Sequence, residues 1–337
     1  MATLAEIAVH AGVSEATVSR VLNDKPGVSD AARGAVLTAL DVLGYERPSR
    51  LRRRSAGLVG LVVPELENPI VPAFAQVIDD ALAARRFTPV LCTQSPGGIS
   101  EDEYVESLLD HGVAGILFVS GRHADTAADH ERYRTLVDRR LPVVFINGYA
   151  AAIDAPFFST DDHDAMSIAV SHLAQLGHEK IGLAIGPARY VPAARKREGF
   201  VAAVREVFGL GIEAADHCIA EGLFTVEGGA AAARQLLNRG VTAIVCGSDL
   251  MALGAVRAAR ELGLDVPGDV SVVGFDDSRL IQFLDPPLTT VRQPVAAMGG
   301  AAVSALVDAI DGRPVPSQEY LYKPELVLRG STGRAPG

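Results

Sequence analysis

The chain has 337 residues, of which 48% are hydrophobic and 21% charged, and this composition excludes a wholly disordered or fibrous protein. The formal net charge of −10 is unevenly distributed, because residues 1–57 hold eight Lys and Arg against six Asp and Glu, whereas the remaining residues hold 23 against 35. No apolar run reaches the roughly 18 residues of a membrane span and no secretory signal is visible, so we expect a cytoplasmic protein of two or three packed units.

Residues 1–46 predict three short helices around a small core. The segment Thr3–Glu6 fits the S/T-x-x-E capping box, in which two side chains satisfy otherwise unpaired backbone N–H groups, and Gly12 offers the left-handed residue that ends a helix. Ser14 can cap a second helix, and Ser29 or Asp30 can begin a third. Apolar residues recur at helical spacing in all three, which predicts an inward face on each helix.

The first two predicted helices are joined by a tight, Gly-containing turn, and the second has a polar outer face. This arrangement is typical of a helix-turn-helix that places its second helix in the major groove of DNA, although an ordinary helical hairpin is the alternative on periodicity alone. Residues 3–23, TLAEIAVHAGVSEATVSRVLN, closely resemble the DNA-binding head of LacI/GalR-family transcription regulators. The resemblance implies that the head binds double-stranded operator DNA.

By this resemblance the base-reading residues of the second helix are Glu15, Ala16 and Arg20. Their chemistry suits the role, because an arginine can bond guanine O6 and N7, a carboxylate can accept from a cytosine amine, and a methyl group can contact thymine. The alternative for Glu15 is a first-turn acid that the helix dipole favours. The polar side chains better placed to bond phosphates, and so to position the head, are Thr17, Ser19 and Asn23.

Residues 47–57 predict a linker, since they are rich in arginine, contain Pro48 and Gly57, and precede an apolar strand. In the LacI/GalR family this region is a hinge helix that orders on DNA and inserts a leucine into the minor groove. The segment here is shorter than in the best-known members, and Leu51 is the nearest apolar candidate. A solvated charge run is the alternative. The residues expected at the DNA are Arg50, Leu51, Arg52, Arg53 and Arg54.

Residues 58–332 alternate short apolar runs with helical patterns, which is typical of βαβ units and parallel sheets. We therefore predict an α/β core with two sheets, each covered by helices on both faces. Neither GxGxxG after the first strand nor GxxxxGK[ST] occurs, no cluster has metal-ligand spacing, and no catalytic triad can be assigned. We accordingly expect no cofactor, no metal and no enzymatic activity. Cys92, Cys218 and Cys246 fit reduced core thiols.

Short polar residues follow several predicted strands of this core, including Asn147, Ser248 and Asp276. Ligands bind at the carboxyl ends of parallel strands, and these side chains can hold adjacent hydroxyls, so the pattern indicates recognition of a sugar-like ligand.

The resemblance to the LacI/GalR family continues through VVPELENP, LPVVFIN, LGHEKIG, SDLMALGA, VVGFDD and PPLTTVRQP. It implies a periplasmic-binding-protein-like core of two doubly wound parallel-sheet subdomains, crossed by three connections. The first would comprise residues 58–158 and 288–316, and the second residues 159–287 and 317–332.

The resemblance also implies which residues contact the effector. Lys196 stands where the family usually has arginine, so we take it together with its neighbour Arg195. Asp276 could instead cap a turn, and Phe224 could instead be core packing. The full set of expected ligand-binding residues is Asn147, Arg195, Lys196, Phe224, Ser248 and Asp276.

We therefore expect a homodimeric, ligand-responsive transcription regulator, most simply a repressor released from a pseudo-palindromic operator. No heptad pattern follows the core, which favours a dimer over a tetramer. The stretch VLGYERPSRLRRRSAGLVGLVVPELENP resembles actinobacterial family members that answer to cellobiose and cello-oligosaccharides. The alternatives are a sugar-binding transport component, a regulator that answers to a non-sugar ligand, and an α/β enzyme.

Overall fold

The structure is a computed structural model and describes residues 3–23, 25–43, 56–94 and 98–336. The chain divides into two compact units, residues 1–56 and 57–337. The predictions made for Arg50, Leu51, Arg52, Arg53 and Arg54 lie outside the described residues.

The first unit consists of α1 (Leu4–Ala11), α2 (Glu15–Leu22) and α3 (Asp30–Val42). The capping box predicted at Thr3 and Glu6 is present, and Ser14 and Ser29 cap the next two helices as expected. Gly12 has φ 64°, a left-handed conformation that glycine adopts without strain, and it turns the chain between the first two helices. The three inward faces meet in one small core, which contains Ile7, Ala8, Val18, Val21, Leu22, Val36, Ala39 and Leu40.

The second unit begins with a run of alternating strands and helices. These are β1 (Gly57–Val63), α4 (Ile70–Ala84), β2 (Phe87–Thr93), α5 (Glu101–Asp110), β3 (Gly115–Val119), α6 (Glu131–Asp138), β4 (Val143–Ile146) and β5 (Phe157–Thr160). β1, β3 and β4 read as near-continuous apolar runs because both faces of the sheet are covered there.

The alternation continues with α7 (Asp162–Gln175), β6 (Ile181–Ile185), α8 (Val191–Phe208), α9 (Ile212–His217), β7 (Ile219–Glu221), α10 (Val226–Asn238), β8 (Ala243–Cys246), α11 (Asp249–Glu261) and β9 (Ser271–Asp276). The chain then passes through β10 (Thr289–Arg292), α12 (Val295–Ile310), β11 (Glu319–Tyr322) and β12 (Glu325–Val327). The short helix α9 was not predicted.

Within the described ranges the strands form two six-stranded sheets. The first has the order β11-β5-β4-β3-β1-β2 and is wholly parallel, and the second has the order β12-β10-β9-β8-β6-β7 with β12 antiparallel at its edge. Helices α4 and α12 cover one face of the first sheet, and α5 and α6 cover the other. Helices α7 and α8 cover one face of the second sheet, and α10 and α11 cover the other.

The sheets correct the predicted subdomain boundaries at two strands. β10 pairs with β9 in the second sheet, although residues 288–316 were assigned to the first subdomain. β11 pairs with β5 in the first sheet, although residues 317–332 were assigned to the second. Strand pairing joins residues far apart in sequence, so local pattern does not reveal which sheet an edge strand enters. The chain crosses between subdomains after β5, β10 and β11, the three connections implied by the family resemblance.

The carboxyl ends of the two sheets face each other. The Thr126 N–H, in the segment after β3, donates to the Arg189 carbonyl, in the segment after β6, over 2.8 Å, and the Thr126 hydroxyl donates to the same carbonyl over 2.9 Å. Both segments leave the carboxyl ends of parallel strands, so the strand-end residues of the two subdomains border a common cleft.

Candidate DNA-reading surface and effector site

Helix α2 separates its apolar and polar residues cleanly. Val18 and Val21 are buried in the core of the first unit, whereas Glu15, Ala16 and Arg20 are exposed. The three predicted base-reading side chains therefore lie on the outer face, where a major groove can reach them.

The polar residues at the ends of α2 also bond within the helix. The Thr17 N–H donates to Ser14 Oγ over 3.2 Å, and the two hydroxyl oxygens lie 2.9 Å apart. The Asn23 amide donates to the Ser19 carbonyl over 2.8 Å. These bonds stabilise the helix ends, and a phosphate contact by Asn23 would use the second hydrogen of its amide.

Asp276 ends β9 at the mouth of the cleft with an unusual φ of 123°. Its Oδ1 accepts from Gln293 Nε2 over 2.7 Å, whereas its Oδ2 is buried and has no hydrogen-bond partner among the described residues. A buried acceptor without a donor is costly, so this oxygen is suited to a ligand hydroxyl. Burial and the nearby Asp249 charge raise the pKa of Asp276 well above its usual value, and the Gln293 bond and the Lys196 charge offset part of that rise.

Gln293 follows β10 and links the two subdomains at this site. Its Oε1 accepts from Thr160 Oγ1 over 2.9 Å and from Asn147 Nδ2 over 3.4 Å, while its Nε2 donates to Asp276 Oδ1. Asn147 and Asp276, predicted separately, are therefore joined through one buried amide. Sequence reasoning missed Gln293, although it is a polar residue directly after a strand and within the quoted motif PPLTTVRQP.

Lys196 and Arg195 behave differently although they were predicted together. Lys196 Nζ lies 2.6 Å from Asp162 Oδ1 and 3.8 Å from the centre of the Phe275 ring, and it is almost fully buried. Burial raises the pKa of Asp162, and the Lys196 charge offsets part of this rise. The Lys196 charge also lowers the pKa of Asp276, which offsets part of the rise caused by burial.

Arg195 is already engaged across the subdomains. Its guanidinium makes a two-pronged ion pair with Glu319, the first residue of β11, at 2.6 and 2.9 Å, and also lies 6.0 Å from the Tyr149 ring centre. Because its planar fork is filled, the structure favours a bridging role for Arg195 over the predicted effector contact.

Ser248 and Asp249 form the start of α11. Ser248 Oγ accepts from the Met251 N–H over 3.2 Å and so caps the helix. Asp249 accepts from Thr290 Oγ1 and from the Ser278 N–H, each over 2.7 Å, and its burial raises its pKa to about 6. Asp249 was not among the residues expected to bind the ligand, and its effect on the cleft is electrostatic, because its charge raises the pKa of Asp276.

Phe224 is half-buried and packs against glycines at two strand ends. A β-carbon at Gly186 would collide with the Phe224 ring, and one at Gly247 would touch it. Phe224 therefore makes packing contacts of the kind that the sequence left open as the alternative to a ligand contact.

Two further polar residues lie at the ends of α7. Asp161 Oδ1 accepts from the Asp164 N–H over 3.0 Å and so caps the start of this helix. The His178 N–H donates to the Leu173 carbonyl at the end of α7 over 3.1 Å. Its ring lies 2.9 Å from Thr242 Oγ1, 3.0 Å from Ser271 Oγ and 3.1 Å from the Gly333 carbonyl, contacts that a local pattern could not reveal.

Within the described ranges, no helix combines the length and apolar composition needed to cross a bilayer. In the same ranges, no three His, Cys, Asp or Glu side chains are grouped as a metal site would require.

A helix-turn-helix unit followed by a core of two parallel-sheet subdomains defines a class of ligand-regulated DNA-binding proteins. Residues 3–48 match the family described as bacterial regulatory proteins of the lacI family, and residues 170–332 match the periplasmic binding protein-like domain. The chain belongs to the LacI family of bacterial transcriptional regulators, which confirms the predicted family and fold class.

The sequences of individual relatives match this one over nearly the whole chain. The HTH-type transcriptional regulator reg1 of Streptomyces lividans is 62% identical over 99% of this chain and 97% of its own length. The HTH-type transcriptional repressor CytR of Escherichia coli (strain K12) is 33% identical over 99% of this chain and 97% of its own length. Because these relatives are regulators along their full length, this protein is a transcription regulator and not an enzyme.

Solved structures give the same result. The complex of the transcriptional regulator CelR with cellobiose is 31% identical, has a TM-score of 0.72, and matches 98% of this chain and 100% of that one. The lac repressor dimer bound to operator and the anti-inducer ONPF is 28% identical, has a TM-score of 0.70, and matches 98% of this chain and 99% of that one.

Proposed function

We propose that this regulator is a repressor that binds a pseudo-palindromic operator as a homodimer and is released when an oligosaccharide enters the cleft of its core. The observation that carries the effector part is the buried, unpartnered Oδ2 of Asp276. It lies beside Gln293, which also bonds Asn147, so a carboxylate and two amides converge at facing strand ends. Donors and acceptors at close spacing suit the adjacent hydroxyls of a sugar ring.

The DNA-binding part rests on α2. Its outer face presents Arg20 and Glu15, which can read a guanine and a cytosine in the major groove. The arginines at positions 50, 52, 53 and 54 add positive charge that suits phosphates and the minor groove. A two-fold symmetric dimer reads two half-sites, which explains why the operator should be pseudo-palindromic. Such a protein acts where the chromosome lies, in the cytoplasm.

The finer proposal is that the effector is a cello-oligosaccharide. It is supported by the cellobiose complex of CelR, which matches nearly the whole chain. Another similar solved structure, a LacI family transcriptional regulator from Enterococcus faecium, contains ribose, which is also a polyhydroxyl ligand. The chain has no Trp, and Phe224 offers the aromatic surface on which one face of a sugar ring can rest.

Effector binding would act by favouring one arrangement of the two subdomains and thereby altering the spacing of the two linkers in the dimer. A differential affinity of about 1 to 3 kcal/mol between the two arrangements is enough to weaken operator binding about 5- to 150-fold. The residues that would sense the sugar are Asn147, Lys196, Phe224, Ser248, Asp276 and Gln293.

The test is release of a fluorescent operator by defined sugars. An operator selected from randomised duplexes is bound by the full-length protein, and cellobiose, cellotriose, maltotriose and xylotriose are titrated while anisotropy is recorded. We expect cellotriose or cellobiose to release the operator, and Asp276→Ala to retain operator affinity but lose the response. Asp265→Ala, a change of an exposed carboxylate between α11 and β9, is the matched control and should respond as wild type.

Three other outcomes would each contradict a different part of the proposal. Release by maltotriose or xylotriose alone would replace the cello-oligosaccharide with another oligosaccharide. Sugar binding without retention of any duplex at moderate salt would contradict the operator part of the proposal. Sugar binding and release that survive Asp276→Ala would remove Asp276 from the site.

A further inference from the structure

His123 lies beneath the effector site in the short helical turn of residues 122–124, directly after β3. Its side chain is fully buried, and its Nε2 is 2.6 Å from the carbonyl oxygen of Asn147. A carbonyl oxygen only accepts, so the imidazole must donate from Nε2. The hydrogen bond therefore fixes one tautomer of the ring.

The surroundings keep this ring neutral and in place. Burial lowers the pKa of His123 to about 4, so the imidazole carries a single N–H near neutral pH. Nδ1 has no hydrogen-bond partner among the described residues, which agrees with an unprotonated nitrogen there. The ring is enclosed by Phe145, Phe157 and Tyr133, whose ring centres lie 4.8, 6.2 and 6.0 Å away. Its one proton is thus directed at Asn147.

Asn147 needs such support because its backbone is left-handed, with φ 56°. The Asn147 N–H donates to the Phe158 carbonyl over 2.9 Å, so with His123 on the carbonyl both backbone polar groups of Asn147 are held. The next residue is Gly148 at φ 90°, and a β-carbon there would collide with Ala124, the neighbour of His123. The turn that carries His123 and the turn that carries Asn147 are therefore packed as one unit.

We propose that His123 is a positioning residue for effector recognition: its Nε2–H clamps the Asn147 carbonyl and so aims the Asn147 amide at Gln293 and the ligand. This inference rests on the proposed function, because it assigns Asn147 a contact with the effector. His123 itself touches no ligand. Its role is to hold the backbone from which the Asn147 amide extends.

Three substitutions distinguish positioning from simple packing. His123→Gln places an amide nitrogen where Nε2 was, His123→Asn places one where Nδ1 was, and His123→Phe keeps the aromatic volume without a donor. We expect the dissociation constant for the panel sugar that releases the operator, be it cellotriose, maltotriose or xylotriose, to rise about tenfold in His123→Phe and His123→Asn and at most about threefold in His123→Gln. His111→Phe, at an exposed histidine that follows α5, controls for the loss of a histidine.

A double-mutant cycle tests whether the effect passes through Asn147. Asn147→Gly removes the amide and adopts φ 56° without strain. In that background His123→Phe should change the sugar dissociation constant less than twofold. Equal losses in both backgrounds, or equal behaviour of the Gln and Asn variants, would overturn the proposal and leave His123 as packing.

A ligand-free measurement keeps the inference separate from the proposed function and independent of the folding of any one variant. In ¹⁵N spectra of the full-length wild type, the His123 imidazole should stay neutral and protonated on Nε2 from pH 5.5 to 8.5. The Asn147 carboxamide signal, assigned by its loss in Asn147→Gly, should shift in His123→Asn and stay near wild type in His123→Gln. Protonation on Nδ1, or titration near pH 6.5, would refute the clamp even if the sugars release the operator. If no sugar acts, the proposed function fails and these spectra alone decide the geometry.

Discussion

Asp276 acquires its chemistry from its position. A carboxyl at the end of a buried strand loses the water that would stabilise its charge, and the nearby Asp249 adds a repulsive charge. The Gln293 hydrogen bond and the Lys196 charge stabilise the ionised form of Asp276 and so offset part of these two effects. The pKa of Asp276 is consequently raised, and its ionisation becomes sensitive to anything that donates to its unpartnered Oδ2.

This sensitivity predicts that effector binding depends on pH. Sugar hydroxyls that donate to Asp276 favour its ionised form, and the ionised fraction grows as pH rises through the raised pKa. We therefore expect the sugar dissociation constant to fall as pH rises through the raised pKa of Asp276, by at most about tenfold per unit, and then to level off. Calorimetric titration of the wild type measures this profile.

Asp276→Asn supplies the control, because it keeps the shape of the side chain without an ionisable group. Its weaker binding should vary little with pH. Asp249→Asn removes the charge that repels Asp276, so the rise in affinity should move to lower pH in that variant. A wild-type profile that is flat, or one that falls with pH, would contradict a hydroxyl-accepting carboxylate.

At the scale of elements, α2 shows how a short segment serves two surfaces. Its apolar residues at helical spacing pack on α1 and α3, and its caps are made by residues at most four positions away. Interactions of such short range can be predicted from the local sequence, which is why all three helices of the head were predictable. Because these contacts involve the inward face and the ends of α2, the side chains on its outer face stay exposed and available to DNA.

The outer face of α2 yields a prediction for operator specificity. Arg20→Ala should cost about 1 to 3 kcal/mol of operator binding and relax the preference at one base pair in each half-site. Binding measured against operators substituted at each position resolves the two effects. Arg33→Ala, which removes the same charge from α3, controls for general electrostatic loss and should leave base preference unchanged. Uniform weakening by Arg20→Ala on every duplex would assign Arg20 to phosphate instead.

At the scale of the whole molecule, the core is joined by three chain crossings and by side chains that span the cleft. Arg195 of α8 binds Glu319 of β11, and Thr126 bonds the Arg189 carbonyl. These contacts stabilise the arrangement in which the strand ends face each other. A regulator whose effector acts on that arrangement should be sensitive to them.

The Arg195–Glu319 pair gives a prediction for ligand response. A partly buried, two-pronged pair should contribute about 1 kcal/mol, so Arg195→Ala or Glu319→Ala should weaken sugar binding roughly fivefold. The double variant should be no worse than either single one. Arg197→Ala is the matched control, since Arg197 of the same helix pairs with Asp216 and Glu221 inside the second subdomain. Additive losses for Arg195 and Glu319 would show that the pair does not act as a bridge.

Periodicity, capping and strand composition act over a few residues, so they predicted the helical head, the alternation of strands and helices, and the strand ends at which Asn147, Ser248 and Asp276 lie. Only the tertiary structure placed β10 and β11 in their sheets, paired Lys196 with Asp162 and Arg195 with Glu319, and brought Gln293 and His123 to Asn147. Each of these contacts joins residues at least 16 positions apart. Such contacts form only when elements pack, and packing brings together positions that no local pattern links.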